Sequence, residues 1–203
     1  MYMLRTTTLA LVFLPAMLAA QGGTPPASGH ESMPGMNMSV KIPKGAIFTT
    51  ADVEFMQGMI AHHAQAIYMS KMAAGHGANP RLLRFATKID QSQRAEIKLM
   101  QDWLHRNGQS APDTSSWRTM HMPGMLTAEQ LQQLDQANGT AFDRDFLRFM
   151  IQHHTGALTM VSDLFNTPLA GQDVDVSVFA NDVQVVQTAE IGVMQKMLAG
   201  LPN

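Results

Sequence analysis

The amino-acid sequence predicts an all-α protein whose four long helices form two similar hairpins. Three observations support this fold class. Apolar residues recur at alternating steps of three and four along four segments, which is the period of an amphipathic helix. Residues that commonly begin and end helices bound these segments. The segments of the first half also recur in the same order in the second half, which indicates one supersecondary unit used twice.

The internal repeat consists of two matched pairs of segments. Residues 52–63 (DVEFMQGMIAHH) match residues 143–154 (DRDFLRFMIQHH) at six of 12 positions. Residues 85–104 match residues 179–198 at nine of 20 positions. Because each pair has the length and period of helices, each half of the repeat is predicted to be a helix hairpin.

The first hairpin is predicted over residues 49–108. Thr49 and Asp52 have the spacing of a capping box, with Asp in place of the usual Glu or Gln, so the first helix is expected to begin near residue 50. The remaining boundaries carry residues that end or begin helices: Gly75 and Gly77, then Asn79 and Pro80, then Asn107 and Gly108.

The second hairpin is predicted over residues 140–200, after a connection over residues 109–139. Thr127 can cap a short helix at 128–137 within that connection. Thr140 and Asp143 repeat the capping-box spacing, so the third long helix is expected to begin near residue 141. The fourth is expected over about 175–199, before Gly200. Two such hairpins close most simply as a four-helix bundle with one long crossover, the ferritin-like arrangement.

The N-terminal region is predicted to lie outside this domain, which spans residues 49–203. Residues 1–20 contain the apolar run LALVFLPAMLAA and are typical of an export signal peptide. The run is too short to cross a bilayer, so no stable membrane anchor is expected. Residues 21–48, rich in Gly, Pro, Ser and Met, are predicted to be a flexible tail. A periplasmic or extracellular location follows.

The amino-acid composition limits the kinds of ligand and partner that the chain can have. The chain has no cysteine, which rules out disulfides and thiolate ligands, and its net charge of −2 gives no reason to expect nucleic acid as a partner. It has 18 methionines and eight histidines, both of which can bind metals. Methionine is also a common core residue, so composition alone decides nothing.

Polar residues interrupt the apolar stripes at equivalent positions of the two halves. They are His62 and His153, together with Gln93, Glu96, Gln187 and Glu190. A buried carboxylate needs a partner, and a histidine or a metal ion is the simplest one. Neighbouring residues on a helix point about 100° apart, so the two histidines of an adjacent pair cannot simply chelate one ion side by side.

The predicted bundle site combines these histidines with nearby methionines. Imidazole and thioether donors favour Cu(I), and imidazole can also bind Cu(II). The candidate ligands are Met59, His62, His63, Met69, Met100, Met150, His153, His154, Met160 and Met194. Gln93, Glu96, Gln187 and Glu190 are candidates for orienting them. The alternative is that the histidines are core residues hydrogen-bonded to Glu96 and Glu190.

Two segments outside the long helices are also rich in methionine and share the motif MPGM. Closely spaced thioethers beside an imidazole can surround a Cu(I) ion. The candidates are His30, Met33, Met36 and Met38 in the tail, and Met120, His121, Met122 and Met125 in the connection. The alternatives are a low-complexity linker, or a connection packed over one end of the bundle, which would make Met122 and Met125 core residues.

The chain resembles the domain of unknown function 305 family over about residues 49–199. The resemblance rests on the pattern D-x-x-F-x-x-x-M-I-x-H-H-x-x-A-x-x-M, on Q-x-x-E-I-x-x-M after it, and on FDRDFLRFMIQHHTGAL in the second half. The resemblance implies a ferritin-like, exported protein associated with copper binding or copper tolerance. It also maps the family motif onto the bundle methionines and histidines named above. The family has no firmly assigned activity.

Three functions remain open at this stage. The favoured one is an exported protein that sequesters or transfers copper, with a metal ion and other copper-handling proteins as partners. A ferritin-like copper or iron oxidase is the alternative enzyme, although a di-iron site requires Glu-x-x-His on two helices, where this chain has Gln-x-x-Glu. A metal-free helical scaffold is the third. A binding role is favoured over catalysis.

Overall fold

The computed structural model describes residues 39–202. Over that range it contains five α-helices, one 3₁₀ turn and no β-strand, which confirms the all-α fold class. The elements are α1 (Thr50–Gly75), α2 (Pro80–Arg106), the 3₁₀ turn (Ser116–Arg118), α3 (Ala128–Gln136), α4 (Thr140–Asn166) and α5 (Val174–Ala199). The predicted signal peptide and residues 21–38 of the predicted tail lie outside the described residues.

Helices α1 and α2 form one hairpin, α4 and α5 form the other, and the hairpins pack together mainly through α1 and α4. Two apolar clusters fill the interior, one at each end of the bundle. The first cluster joins the N-terminal halves of α1 and α5 to the C-terminal halves of α2 and α4. Helices α2 and α4 therefore run in the same direction, so residues 107–139 must cross the length of the bundle. The structure therefore has the long crossover between the two hairpins that the sequence predicted.

The helix ends agree with the sequence except at the start of α4. Thr49 and Asp52 form the expected capping box at α1. The predicted Thr140 cap is wrong: Gly139 is the N-cap residue, with a φ of 56°, and Thr140 is already the first residue of α4. Asp143 instead accepts hydrogen bonds from the backbone N (3.2 Å) and Nδ2 (2.5 Å) of Asn79. The physical reason is a tertiary contact, because Asn79 lies in the loop of the other hairpin.

Helix α1 is the central element of the fold. Twenty of its 26 residues are buried, because α2, α4 and the crossover each cover one of its sides. Two buried glutamines attach the crossover to it. Gln57 donates from Nε2 to the Ser110 carbonyl (2.8 Å), and Gln65 exchanges hydrogen bonds with the backbone of Leu126 (3.1 and 2.7 Å). Polar side chains thus satisfy the backbone of a segment that has little regular structure.

The described end of the predicted flexible tail is packed. Phe48 is buried and lies edge-to-face on Trp103, with 5.3 Å between ring centroids. Nε2 of Gln109 donates to the Lys41 carbonyl (2.7 Å), and Val40 and Ala46 contact the apolar cluster. The description of residues 21–48 as a flexible tail is therefore corrected for its last part, because apolar side chains at 40, 46 and 48 reach the core.

None of the helices within residues 39–202 combines the length and apolarity needed to cross a membrane.

Candidate metal centre

Four fully buried histidines lie at equivalent positions of α1 and α4. The rings of His62 and His153 are in contact across the helix interface, with 3.8 Å between centroids and 39° between planes. The ring centroid of His63 lies 6.4 Å from that of His62, and the ring centroid of His154 lies 6.3 Å from that of His153. The duplicated His-His motif therefore converges at the contact between the two hairpins.

Each outer histidine is held by a glutamate from the second helix of its own hairpin. Nε2 of His63 lies 2.6 Å from Oε2 of Glu96, and Nε2 of His154 lies 2.9 Å from Oε2 of Glu190. An ionised carboxylate can only accept hydrogen bonds, so Nε2 carries the proton in both rings. In a neutral imidazole this leaves the lone pair on Nδ1.

The inner histidines differ from one another. Nε2 of His62 donates to the Pro123 carbonyl at 3.1 Å, so its lone pair is also on Nδ1. Neither ring nitrogen of His153 makes a hydrogen bond of normal geometry. Five of the eight ring nitrogens are consequently buried without a partner: Nδ1 of His62, His63 and His154, and both nitrogens of His153.

These unpartnered nitrogens fit a metal-binding role. Buried polar atoms are nearly always hydrogen-bonded, so five such atoms in one place need an explanation. Metal-ligating histidines commonly donate their other ring N–H to a carboxylate or a backbone carbonyl, which fixes the tautomer and the ring orientation. His62, His63 and His154 all show that arrangement, with Pro123, Glu96 and Glu190 as the respective acceptors.

Burial also keeps the inner rings uncharged. The pKa of His62 is lowered to about 3, mainly by burial and also by His63 and His154, against a smaller opposing effect of the Pro123 carbonyl. Burial and the neighbouring His62 ring hold the pKa of His153 well below its usual range, and the nearby backbone of His62 opposes this only weakly. Both rings are therefore neutral at neutral pH, and each carries one protonated nitrogen and one nitrogen with a lone pair.

Glu190 remains ionised despite its burial. Burial is the largest single influence and raises the pKa of Glu190, but the hydrogen bonds and charges of His154 and Lys88 together outweigh it and leave the pKa lowered. Nζ of Lys88 lies 3.3 Å from Oε1 of this carboxylate. The predicted orienting role of the glutamates is thus consistent with an anionic acceptor behind His154.

The two glutamines predicted to support the site are less engaged. Gln93 and Gln187 are buried at equivalent positions of α2 and α5, and Oε1 of each has no hydrogen-bond partner. The described contacts do not join either side chain to a histidine. The bundle interior therefore contains two buried amide oxygens without a hydrogen-bond partner in addition to the histidine nitrogens.

Six buried methionines surround this region in two sets related by the duplication. Each set draws one residue from each of three helices and lies in one of the two apolar clusters. The first set is Met59, Met100 and Met160, and the second is Met69, Met150 and Met194. The structure therefore buries every methionine predicted for the bundle, where each can serve as core packing and as a thioether donor.

Within residues 39–202 no three histidine, aspartate or glutamate side chains are arranged to hold one metal ion. The donors that these buried residues offer are imidazole and thioether groups, a combination suited to a soft ion.

The methionine-rich connection lies against the bundle, and part of it is core. Met120 and Met122 are buried in the first apolar cluster, Met125 is half-buried beside it, and His121 is exposed. All four line an open cleft of about 670 Å³, together with Tyr68 and Trp117 of α1 and the 3₁₀ turn. For Met122 the packing alternative therefore applies. His30, Met33, Met36 and Met38 lie outside the described residues.

The MPGM motif of the connection contacts one inner histidine, His62, and packs against α4. Its glycine, Gly124, has a φ of 77° and lies so close to α4 that a Cβ there would come within 2.6 Å of the Gln152 carbonyl. A Cβ on Gly156 of α4 would overlap Pro123 itself. Because only glycines permit this approach, they allow the Pro123 carbonyl to reach His62.

Sequence reasoning missed Gly156, Gln57 and Gln65. The available signal for Gly156 was an isolated glycine inside a helical pattern, which often indicates close packing. The two glutamines lay in a segment that is apolar on most sides, where a polar residue needs a partner. Neither signal identifies the crossover as that partner.

Fold and site together define a helical-bundle protein with a histidine- and methionine-lined interior. The chain belongs to the family named domain of unknown function DUF305, whose model matches residues 52–198. This confirms the family indicated by the repeated motif.

Solved structures and a curated sequence show the same relationship. A DUF305 protein of Streptomyces coelicolor, named as a presumed secreted protein, is 26% identical, with a TM-score of 0.65 and coverage of 73% of this chain and 92% of that one. The protein CopM in its Cu(II)-bound form is 31% identical, with a TM-score of 0.59 and coverage of 73% and 95%. CopM has also been solved in Cu(I)-bound and silver-bound forms. Protein L153 of Acanthamoeba polyphaga mimivirus is 42% identical over 53 residues, which span 26% of this chain and only 35% of the viral protein.

Proposed function

We propose that this protein binds copper through its buried histidines and methionines, and that it sequesters or transfers the ion outside the cytoplasm. The observation that carries the proposal is the group of five unpartnered imidazole nitrogens at the contact of α1 and α4. Their rings are oriented by Glu96, Glu190 and the Pro123 carbonyl. Copper bound to them would satisfy atoms that otherwise destabilise the interior.

The surrounding donors favour the Cu(I) state. Thioether sulfur is a soft ligand, and three of the six methionines predicted as bundle ligands lie in each of the two apolar clusters. CopM, which shares this fold and is 31% identical, has been solved with Cu(I) and with Cu(II). Binding of either oxidation state is therefore proposed here, with Cu(I) preferred wherever sulfur donors take part.

The cleft beneath the crossover is proposed as the place where copper first binds. It is lined by Met120, His121, Met122 and Met125, of which His121 is exposed and Met125 half-buried, and Pro123 of the same segment accepts a hydrogen bond from His62. Sδ of Met125 lies 3.4 Å from the backbone N of Met122, so the chain is folded back on itself at this point. Movement of this segment would connect the cleft with the histidines.

Export remains part of the proposal. Its support is the apolar N-terminal run of the sequence and the Streptomyces relative named as a presumed secreted protein. An exported copper-binding protein would meet the ion before it reaches the cytoplasm. Storage or delivery to other copper-handling proteins is then the expected role.

The test is competition for Cu(I) against a chromogenic chelator. The purified protein is expected to remove Cu(I) from the chelator, and the doubly substituted His63→Gln/His154→Gln protein is expected to bind at least about tenfold more weakly. His105→Gln is the matched control, because His105 is an exposed histidine at the end of α2. It should leave the affinity unchanged.

A second pair of variants separates packing from ligation. Met59→Leu/Met150→Leu preserves side-chain volume in the core and is expected to cost little stability without metal. It should nevertheless weaken Cu(I) binding, measured as a smaller rise in Tm on adding the ion. Absence of Cu(I) binding by the unsubstituted protein would contradict the proposal.

A further inference from the structure

One outward face of α5 carries a row of exposed apolar residues, interrupted by the charged residues Asp175, Asp182 and Lys196, and no other part of the described chain buries it. Five valines along the helix expose between 39% and 70% of their surface: Val174, Val178, Val185, Val186 and Val193. Ala189 is exposed as well. With 3.6 residues per turn, these six side chains fall within an arc of about 120° on one side of the helix. We call these six residues the α5 stripe.

The duplication shows that the bundle does not require this stripe. In the repeat alignment, the positions of Val178, Val185, Val186 and Val193 correspond to Arg84, Gln91, Ser92 and Leu99 of α2. Three of the four equivalents are polar, as expected of a helix face in water. The valines of α5 therefore reflect a requirement beyond the fold, and a row of exposed apolar residues is a feature of interaction surfaces.

The stripe is self-complementary when a second α5 runs antiparallel to the first. If the two-fold axis passes between Val185 and Val186, then Val185 of one copy faces Val186 of the second copy. The same register brings Val178 opposite Val193 of the second copy, and Asp182 opposite the small Ala189. Two-fold symmetry repeats each of these contacts, as an isologous interface requires.

The charges at the two ends of the stripe favour the same register. Asp175 lies opposite Lys196 of the second copy, so an acidic end meets a basic end twice. Asp175 already pairs with Arg106 of its own chain at 2.8 Å, and both groups are exposed. A parallel pairing would instead bring Asp175, Asp182 and Lys196 each against its own equivalent, which is unfavourable for like charges.

A shallow groove extends the apolar surface onto α2. It has a volume of about 380 Å³ and is lined partly by Leu99, Trp103 and Val178. Leu99 exposes 61% of its surface. The stripe and this groove form one continuous surface, wider than a single helix seam.

We propose that a second copy of this chain docks on the α5 stripe, and that the protein forms a two-fold symmetric dimer with antiparallel α5 helices. The proposal is independent of metal binding. The buried histidines lie at the contact of α1 and α4, whereas the stripe lies on the outward face of α5.

Cysteine cross-linking of the full chain tests the register directly, because the natural sequence has no cysteine. Mixed Val178→Cys and Val193→Cys proteins are expected to form a disulfide-linked heterodimer under mild oxidation. Val178→Cys alone should not cross-link, since its two copies would be about 22 Å apart along the helix axes. Self-linking of Val178→Cys would overturn the antiparallel register.

Sedimentation equilibrium of the full chain tests the dimer itself. Val185→Asp is expected to raise the dissociation constant at least about tenfold, because it places two carboxylates at the axis. Thr188→Asp is the matched control on the neighbouring polar face of the same helix and should leave dimerisation unchanged. A chain that stays monomeric at all concentrations overturns the proposal, as does a monomer that binds phosphatidylcholine vesicles through the stripe.

Discussion

The two hairpins carry the same histidines and glutamates at equivalent positions, but the surroundings of these residues differ. In the first half, His62 donates to the Pro123 carbonyl. In the second half, the equivalent His153 has no partner at either ring nitrogen. The crossover is a single segment and can lie over only one of the two inner rings. Duplication thus supplied a symmetric set of donors, and the connection between the halves made it asymmetric.

The outer histidine–glutamate pairs also differ between the two halves, but in the opposite sense. Glu96 exposes 26% of its side chain, whereas Glu190 exposes 5% and also contacts Lys88. Water can therefore replace part of what Glu96 does, but not what Glu190 does. The second half holds its outer histidine more rigidly, while it leaves its inner histidine free.

The positions three residues after the inner histidines show how the crossover is attached. Gln65 holds Leu126 by two hydrogen bonds, and the equivalent Gly156 allows Pro123 and Gly124 to pack against α4. The first half thus holds the crossover by the side chain of Gln65, whereas the second half makes room for it because Gly156 has no side chain. Changes at these equivalent positions should therefore have different effects in the two halves.

The largest expected effect is the loss of stability in mild acid. In the unfolded chain His62 and His153 take up protons near pH 6.5, whereas in the folded protein their pKa values are lowered, that of His62 to about 3. Stability is therefore fully present above pH 6.5 and falls below it by up to about 1.4 kcal/mol per pH unit for each histidine. Urea unfolding with a metal chelator present, between pH 6.5 and pH 4.5, measures this slope.

His153→Gln removes one of the two titrating groups and should flatten that slope by up to about 1.4 kcal/mol per pH unit. Glu190, whose pKa is lowered from 4.5, contributes stability above that value and loses it only at lower pH, so it does not obscure the window. An unchanged slope in the variant would mean that His153 is not kept uncharged by its burial.

The next largest loss of stability is expected where a substitution prevents the crossover from packing against α4. Gly156→Ala adds a Cβ that overlaps Pro123, and overpacking of this kind typically costs about 1–3 kcal/mol. Gly192→Ala in α5 is the control, since nothing lies within 4 Å of an added Cβ and alanine favours a helix by up to about 1 kcal/mol. Urea denaturation at neutral pH compares them. Equal stability of the two variants would argue against the close packing of the crossover.

The helices could be predicted from sequence because their signals are local. Apolar periodicity, the Thr49 capping box and the Asn79-Pro80 pair each act within a few residues, and α1 and α2 begin where these signals place them. The Thr140 cap failed because its partner, Asp143, is taken by a residue of the other hairpin. A local signal was overridden by a tertiary contact.

The sequence predicted which residues belong to the candidate site but not which of them contact each other. Duplication identified the histidines, methionines and glutamates together, since chance rarely keeps a polar set twice. Periodicity placed His62 on the stripe of α1, yet His63 is the ring that contacts Glu96. Because α1 is buried on nearly every side, one apolar stripe no longer defines its inward face. The path of the crossover leaves no local pattern at all, so Gln65 and Gly156 were missed.

A smaller difference is expected between the two orienting glutamates, and it depends on the proposed copper binding. Glu190→Gln removes the charge behind His154 and should weaken Cu(I) binding by about tenfold, or about 1.4 kcal/mol. Glu96→Gln should weaken Cu(I) binding less, because the Glu96 side chain is more exposed and its charge is partly screened by solvent. Chelator competition measures both. A larger loss for Glu96→Gln would reverse the ranking of the two halves.

The smallest effect compares the first turns of α1 and α4. Oγ1 of Thr49 accepts from the backbone N of Asp52 (3.4 Å), and Oδ2 of Asp52 accepts from the backbone N of Thr49 (2.7 Å). Thr49→Ala should therefore cost about 1 kcal/mol, the usual value for a lost N-cap. Thr140→Ala should cost almost nothing, because Gly139 holds the N-cap position without any side-chain bond. Urea unfolding measures the free energy of unfolding of both variants. Equal losses of stability would contradict this prediction, because they would mean that Thr140 caps α4 as Thr49 caps α1.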